Sequence, residues 1–524
     1  MLESTLGQTS DVPSARMRRA RHRPRPSYAA VVTAVAVVAL LTRLLPLVFS
    51  GTLDGFRGYD DSVHYSAAVH LLAGDLPYRD FVFVHPPGMV LLMLPFAWLG
   101  SVTSDHTGVA AARLLFVLVG TANAAAIALL LRRFGRLPML VGGGLYAVWS
   151  AATIAERSAM LSPVLNLLVL GSFLVLFRHR EGPTPRAARG AGLLLGLALT
   201  VKLWAMIPIL LVGVLIFTAL RSRGTLSYIG FGLLTAGLIC APFFLASPGA
   251  TLASIVRAQL ERSDPITGTA LDRLGFFAGS TVPLPVAVVC VAALGLAVAT
   301  VFAASISWKL QGRELPPEFW WSVLAIAIVG TLLSSRAFFD HYVNFAAPAI
   351  CLCAGAAAAR LAGALRSRPL PLKGAVAALL AAVFIVPLAA DGLTMRPGRL
   401  PGQEELTAAV ASHGCVWAPF PYLSIMSDSL SRAARNDCPV PVDQSGIWMM
   451  TSAGLPVPGN ASGSRAHSDR TDIANVSAAD AVIIGRRHSS YGVYQDMENV
   501  LKSGFTLRQR IGIFEVWVRS PQQS

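Results

Sequence analysis

The chain has 524 residues, 54% of them hydrophobic and only 14% charged, with a formal net charge of +15 and a mean hydropathy of +0.59. Soluble domains carry roughly 25% charged residues, so the composition excludes a soluble globular protein and calls for many membrane spans. The positive charge does not point to nucleic acid, because the basic residues sit in short loops between apolar runs, as the positive-inside rule requires.

A basic tail, residues 1–27, carries Arg16, Arg18, Arg19, Arg21, Arg23 and Arg25. It precedes an apolar run over 28–50, long enough to cross a bilayer and without a convincing small-residue cleavage site. The pattern predicts a signal-anchor with a cytoplasmic N-terminus. The next long apolar run, 109–131, ends in Arg132, Arg133 and Arg136, so 51–108 is expected outside. Within it, 88–100 is apolar but too short to cross roughly 30 Å of hydrocarbon, which predicts a helix lying in the interface.

Further spans are expected at 138–155, 160–177, 190–203, 204–220, 226–246, 283–303, 319–335, 343–360 and 374–393. Basic clusters fall on one side: Arg178 to Arg189, Arg221 and Arg223, Lys309 and Arg313, and Arg360 to Lys373. The expectation is a polytopic α-helical membrane domain over 28–394 with about eleven transmembrane helices. At Met395-Arg396-Pro397-Gly398 the character changes. Strand-like runs at 415–418, 481–484 and 513–518, with helical stretches at 403–413 and 491–503 and a polar loop at 456–470, predict an extracytoplasmic α/β domain over 395–524. Cys240, Cys290, Cys351 and Cys353 lie in apolar runs as packing residues. Cys415 and Cys438 are expected to pair if that domain faces an oxidising compartment.

The polar loop after the first span holds the residues suited to chemistry. Asp60 and Asp61 are adjacent, and either is a good helix N-cap. Two neighbouring carboxylates near lipid also repel each other, which raises a pKa and suits a general base. Asp75 and Asp80 flank the turn signal Leu76-Pro77-Tyr78 and read first as turn residues. His85-Pro86-Pro87 opens the interfacial helix, and His85 is a candidate phosphate contact. Cations recur near outer span ends, among them Arg43, Arg113, Arg157, Lys202, Arg257, Arg262 and Arg336. Snorkelling accounts for any one of them, but the positive-inside bias should deplete this face of cations, and charges within spans are costly and usually functional. Arg113, Lys202 and Arg262 are the candidates for a phosphate site. No zinc-type spacing and no metal requirement is read, and no cofactor is predicted.

The order Gly58-Tyr59-Asp60-Asp61, Gly74-x-x-Pro77-Tyr78-Arg79-Asp80-Phe81 and His85-Pro86-Pro87-Gly88, with Glu156-Arg157 and Asp340-His341-Tyr342 further on, resembles the GT-C fold membrane glycosyltransferases. The resemblance is to the bacterial branch related to protein O-mannosyltransferases and the lipid A aminoarabinose transferase, and most to its actinobacterial members. It covers about 30–395 by layout. It implies an inverting transfer of a sugar from a polyprenyl-phosphate donor to a hydroxyl of a glycan, lipid or protein acceptor at the outer face of the cytoplasmic membrane. Asp60 matches the family's catalytic aspartate, Asp61 stands where many members have Glu, and His85 stands where the aminoarabinose enzymes have a phosphate-contacting Lys. Tyr65, Asp80, Glu156, Arg157, His341 and Tyr342 complete the set as candidate substrate contacts. Mannose or arabinose on decaprenyl phosphate is the donor the resemblance suggests. The alternative is a polytopic transporter or flippase of a lipid-linked saccharide, which should show paired halves and helices broken at the midplane; no such pairing is read.

Overall fold

The computed structural model describes residues 27–179, 182–262, 268–279, 282–369, 371, 374, 402–458, 473–485 and 495–520. The expected basic tail, the span at 374–393 beyond its first residue, the change of character at 395–398, and 459–470 of the polar loop lie outside them. Among the described residues six helices are long and apolar enough to cross a membrane, and Gly88–Val102 and Leu161–Leu176 are shorter apolar helices. The protein is a multi-pass helical membrane protein with a sheet-containing C-terminal region.

Among the described residues, helix stands at ten of the expected spans. Helix α1 (Tyr28–Phe49) is capped by Ser27, whose hydroxyl accepts from the Ala30 amide at 3.1 Å. Helix α2 (Tyr59–Ala73) and α3 (Gly88–Val102) form the loop layer. At 15 residues α3 is about 22 Å long, too short to span, and it packs on α2, α4 and α8. The long α4 (Asp105–Leu131) follows, capped by Ser104.

The expected 138–155 helix is two helices, α5 (Arg136–Val148) and α6 (Ser150–Ala155). Trp149 between them is extended, and its indole donates to the Phe277 carbonyl at 2.9 Å. Helices α7 (Leu161–Leu176) and α8 (Pro185–Val201) come next. Helix α9 (Met206–Ala246) reverses at Arg221, whose φ is 59°, so its halves supply the spans expected at 204–220 and 226–246. The Tyr228 hydroxyl reaches back to the Ile209 carbonyl at 2.9 Å, which a continuous helix forbids. A Cβ at Gly192 or Gly196 would lie 2.3 Å from the carbonyl oxygen of Tyr228 or Gly232, the small-residue contact that membrane helices use to approach closely. Helices α10 (Leu284–Leu310), α11 (Pro317–Ser334) and α12 (Val343–Ala364) complete the described bundle.

The C-terminal region holds a four-stranded sheet of order β1-β2-β4-β3, comprising β1 (Val416–Trp417), β2 (Ala481–Gly485), β3 (Phe505–Ile511) and β4 (Phe514–Arg519). β1 is parallel to β2, and the other pairs are antiparallel. β3 was not foreseen: Arg508 and Arg510 interrupt its apolar pattern, and β3 lies at the sheet edge. Cys415 and Cys438 are joined, their Cα atoms 5.6 Å apart. The bond closes a segment whose short helices, Pro421–Met426 and Leu430–Arg435, pack on α2. Ile425, Leu430, Ala433 and Val440 share one core with Tyr65, Met89 and Phe116, so the loop layer is sandwiched between bundle and C-terminal region.

Candidate active site

Helix α2 starts at Tyr59, with Gly58 as its N-cap, so neither aspartate is the cap. Both occupy the first turn, where a carboxylate favours the helix dipole. Adjacent helical positions point about 100° apart, and the two acids separate accordingly. Asp61 is buried and accepts from Arg113 Nε at 2.9 Å and Nη2 at 2.7 Å. Arg113 Nη1 donates to the carbonyls of Thr52, Leu53 and Gly55 at 2.8, 3.0 and 2.6 Å. The pair therefore fixes the chain leading into α2. Asp60 instead keeps 41% of its side chain exposed and faces His341, Nε2 to Oδ2 3.5 Å.

His341 lies in the turn Asp340–Tyr342 between α11 and α12, stacked on Phe339 and edge-on to Tyr342 at 4.8 Å. Lys202 joins this group from the end of α8. As C-cap it is extended, φ −154° and ψ 136°, so its side chain leaves the helix axis. Its ammonium lies 3.8 Å from the Trp204 ring centre and 4.6 Å from that of Tyr342. Lys202 is buried, with Asp60 and Arg262 as charged groups within electrostatic reach, and it makes no hydrogen bond or ion pair among the described residues. The Arg262 guanidinium lies over Phe339 at 5.2 Å. A shallow pocket, open to solvent, runs beside His341 and Asp340 and is walled by Ser150, Ile154 and Phe276.

His85 approaches from the other side, its ring 6.0 Å from that of His64. The approach depends on Gly88: a Cβ there would sit 2.3 Å from Thr200 Oγ1, so only glycine lets the His-Pro-Pro-Gly segment meet the end of α8. The Tyr78 hydroxyl donates to the His85 carbonyl at 2.6 Å. Burial pushes the His85 pKa well below the usual imidazole range, and the neighbouring basic groups His64, Lys202, Arg262 and His341 push it further. His85 is thus neutral at physiological pH and offers a hydrogen bond rather than a charge.

Asp60, His85, Lys202, Arg262, His341 and Tyr342 are brought together. The other residues singled out from sequence lie elsewhere. Arg113 is engaged by Asp61 and backbone carbonyls. The Tyr65 hydroxyl donates to Asp105 Oδ1 at 3.3 Å, and Asp105 in turn accepts from the Ser431 amide at 3.0 Å. Asp80 accepts from the Leu76 amide at 2.7 Å and from Arg79, closing its turn. Glu156 is fully buried, held by Arg43 Nε at 2.7 Å, Asn123 Nδ2 at 2.8 Å and the Tyr146 hydroxyl at 2.6 Å. Arg157 donates to the Thr42 carbonyl at 2.7 Å. These are contacts of the frame around the site. No group of three or more His, Cys, Asp or Glu suited to a metal occurs among the described residues.

One acid at the site escaped the sequence reading. Asp443, buried, precedes the helix Gln444–Ser452 and accepts from the Gly446 amide at 2.8 Å and the Tyr59 hydroxyl at 3.0 Å. Burial pushes its carboxyl up to about 6, and nearby Asp60 adds to the rise. The order Asp443-Gln-Ser-Gly is a readable N-cap signal, but nothing local says that the cap lies over the first loop.

No family model and no curated protein matches the sequence. Among solved structures, the chain is similar to ArnT from Cupriavidus metallidurans bound to undecaprenyl phosphate, with a TM-score of 0.58 and 15% identity over 94% of this chain and 98% of that one. It is also similar to the archaeal oligosaccharyltransferase AglB from Archaeoglobus fulgidus in complex with an inhibitory peptide and a dolichol-phosphate, with a TM-score of 0.56 and 13% identity over 95% of this chain and 74% of that one. At these identities the likeness establishes the fold. The chain has the GT-C fold.

Proposed function

We propose that the protein is an inverting glycosyltransferase that moves a sugar from a polyprenyl-phosphate donor to a hydroxyl acceptor at the membrane surface. The observation that carries this reading is the meeting of a half-exposed carboxylate, Asp60, with the cations Lys202 and Arg262 at the end of a lipid-embedded bundle. ArnT, similar in fold, was solved with undecaprenyl phosphate, and AglB with a dolichol-phosphate.

In this reading the acceptor hydroxyl oxygen attacks the anomeric carbon. The bond from that carbon to the phosphate oxygen breaks, and the polyprenyl phosphate leaves with the electron pair. Asp60 takes the hydroxyl proton as general base. His341, beside Asp60, orients it. Lys202 and Arg262 stabilise the charge that builds on the departing phosphate. Among the described residues no carboxylate or carbonyl satisfies the Lys202 ammonium, and a phosphate would supply the missing acceptor. His85, being neutral, would hydrogen-bond the phosphate or the sugar. Attack from the face opposite the leaving group inverts the anomeric configuration. The prenyl tail would lie along the bundle, and the C-terminal region would hold the acceptor. The acceptor would be a glycan, lipid or protein, and mannose or arabinose on decaprenyl phosphate is the donor that the family resemblance suggests.

The test is transfer from radiolabelled polyprenyl-phosphate sugars by membranes containing the wild type or Asp60→Asn. The expected result is product with the wild type and a rate about 100- to 10,000-fold lower with the variant at equal protein level. Full activity in Asp60→Asn would reject the assignment of the base, and export of intact lipid-linked sugar without transfer would favour a flippase.

A further inference from the structure

We infer that Asp443 is a positioning residue for Asp60, acting through the phenol of Tyr59, so that the C-terminal region sets the geometry of the base without touching the reacting atoms. The inference rests on the glycosyltransferase reading above.

Tyr59 is the first residue of α2 and the immediate neighbour of Asp60. Its hydroxyl donates to Asp443 Oδ1 at 3.0 Å and accepts from the Ser445 amide at 2.8 Å. Both partners belong to the start of the helix Gln444–Ser452. The ring is held edge-on by Phe420 at 6.2 Å. The first turn of α2 is thus tied at a second point, besides the Asp61–Arg113 pair. Without a side-chain cap of its own at Gly58, this end would otherwise fray.

The same helix reaches the other groups of the site. Met449 and Met450 share a core with Val82 and Val84, which lead into His85, and with Ala253 and Ala258, which lead to Arg262. The Ser254 hydroxyl contacts Met450 Sδ at 3.6 Å, and Gln259 Nε2 donates to the Val84 carbonyl at 2.9 Å. One helix therefore touches the supports of the base, the imidazole and one cation. Of these contacts only the one through Tyr59 is polar and adjacent to the base. The charged groups that face Asp443 are Asp60 from α2 and Arg262 from the 248–262 segment.

The experiment uses the full chain in detergent or membranes. Tyr59→Phe keeps the ring and the Gly446-to-Asp443 cap but removes the link. Asp443→Ala removes both, and Asp443→Asn keeps an acceptor for both. A displacement of the base on the order of 1 Å costs about 100-fold in rate. Tyr59→Phe and Asp443→Ala should each lower kcat by about 10- to 100-fold with donor KM within about twofold. The double variant should be no worse than either single, and Asp443→Asn should restore kcat. Wild-type kcat in Tyr59→Phe, or multiplicative losses in the double variant, would overturn the inference. Should the wild type transfer no sugar, the glycosyltransferase reading falls, and positioning is then read by hydrogen exchange. Tyr59→Phe must speed exchange at 59–64 and leave Val343–Ala356 unchanged; equal exchange at 59–64 sinks it.

Discussion

Asp61 and Arg113 close a buried two-nitrogen ion pair across 52 residues of chain, beside an aspartate that turns the other way. The contrast assigns Asp61 to the frame and leaves Asp60, one residue away, open for the proposed chemistry. Arg113→Ala would leave Asp61 buried and unpaired, together with the carbonyls of Thr52, Leu53 and Gly55. Such a loss costs about 3–5 kcal/mol. A large drop in the melting temperature of the detergent-solubilised protein is expected. Arg113→Lys should rescue little, because an ammonium lacks the planar fork. Unchanged melting in Arg113→Ala would show that the pair holds nothing.

Asp60→Asn should behave in the opposite way. The side chain is half-exposed and caps nothing, so the melting temperature should stay close to the wild type. The transfer rate should fall by about 100- to 10,000-fold, the usual worth of a general base. Asp60→Glu, which moves the carboxylate by one methylene, should retain a small residual rate. A variant that loses melting temperature and rate together would reassign Asp60 to the frame.

Lys202→Met preserves the apolar stem over Trp204 and Tyr342 while removing the charge. A hydrogen bond to a charged group is worth about 1.5–3 kcal/mol. The expected loss in kcat/KM for the donor is therefore about 10- to 100-fold. The melting temperature should hold or rise, since a buried ammonium without an anion is unfavourable. Unchanged kcat/KM would remove Lys202 from the phosphate site.

Asp443 gives the pH dependence. Burial raises its carboxyl to about 6 in the folded protein, above the ordinary carboxylate value near 3.9. The folded state therefore holds this proton more tightly than the unfolded chain does. Its contribution to stability is complete below about pH 4 and is lost as the pH rises through about 6. Thermal unfolding of wild type and Asp443→Asn from about pH 4 to about pH 7 checks the sign. The stability of the variant relative to the wild type should grow with pH over that interval and then level off. A constant difference would place the titration elsewhere.

Much of the frame was legible because it is written in local terms. Apolar run lengths and basic loops located the helical segments, and α3 was readable as too short to cross. The break at Trp149 was not, since it depends on an indole reaching the Phe277 carbonyl, 128 residues away. In the site, Lys202 and Arg262 drew notice as cations on a face that the positive-inside bias should deplete. The division of labour between Asp60 and Asp61 was hidden: the helical period separates them, but which one turns inward is decided by Arg113. Asp443 was the least accessible, since its cap signal is local and its meaning is entirely tertiary.

The Tyr59–Asp443 bond joins residues 384 positions apart. A nascent chain emerging from the ribosome inserts its acidic loop long before it has made the residue that steadies it. The half-made polypeptide therefore lacks the second tie on the first turn of α2, which can form only once Asp443 has been made.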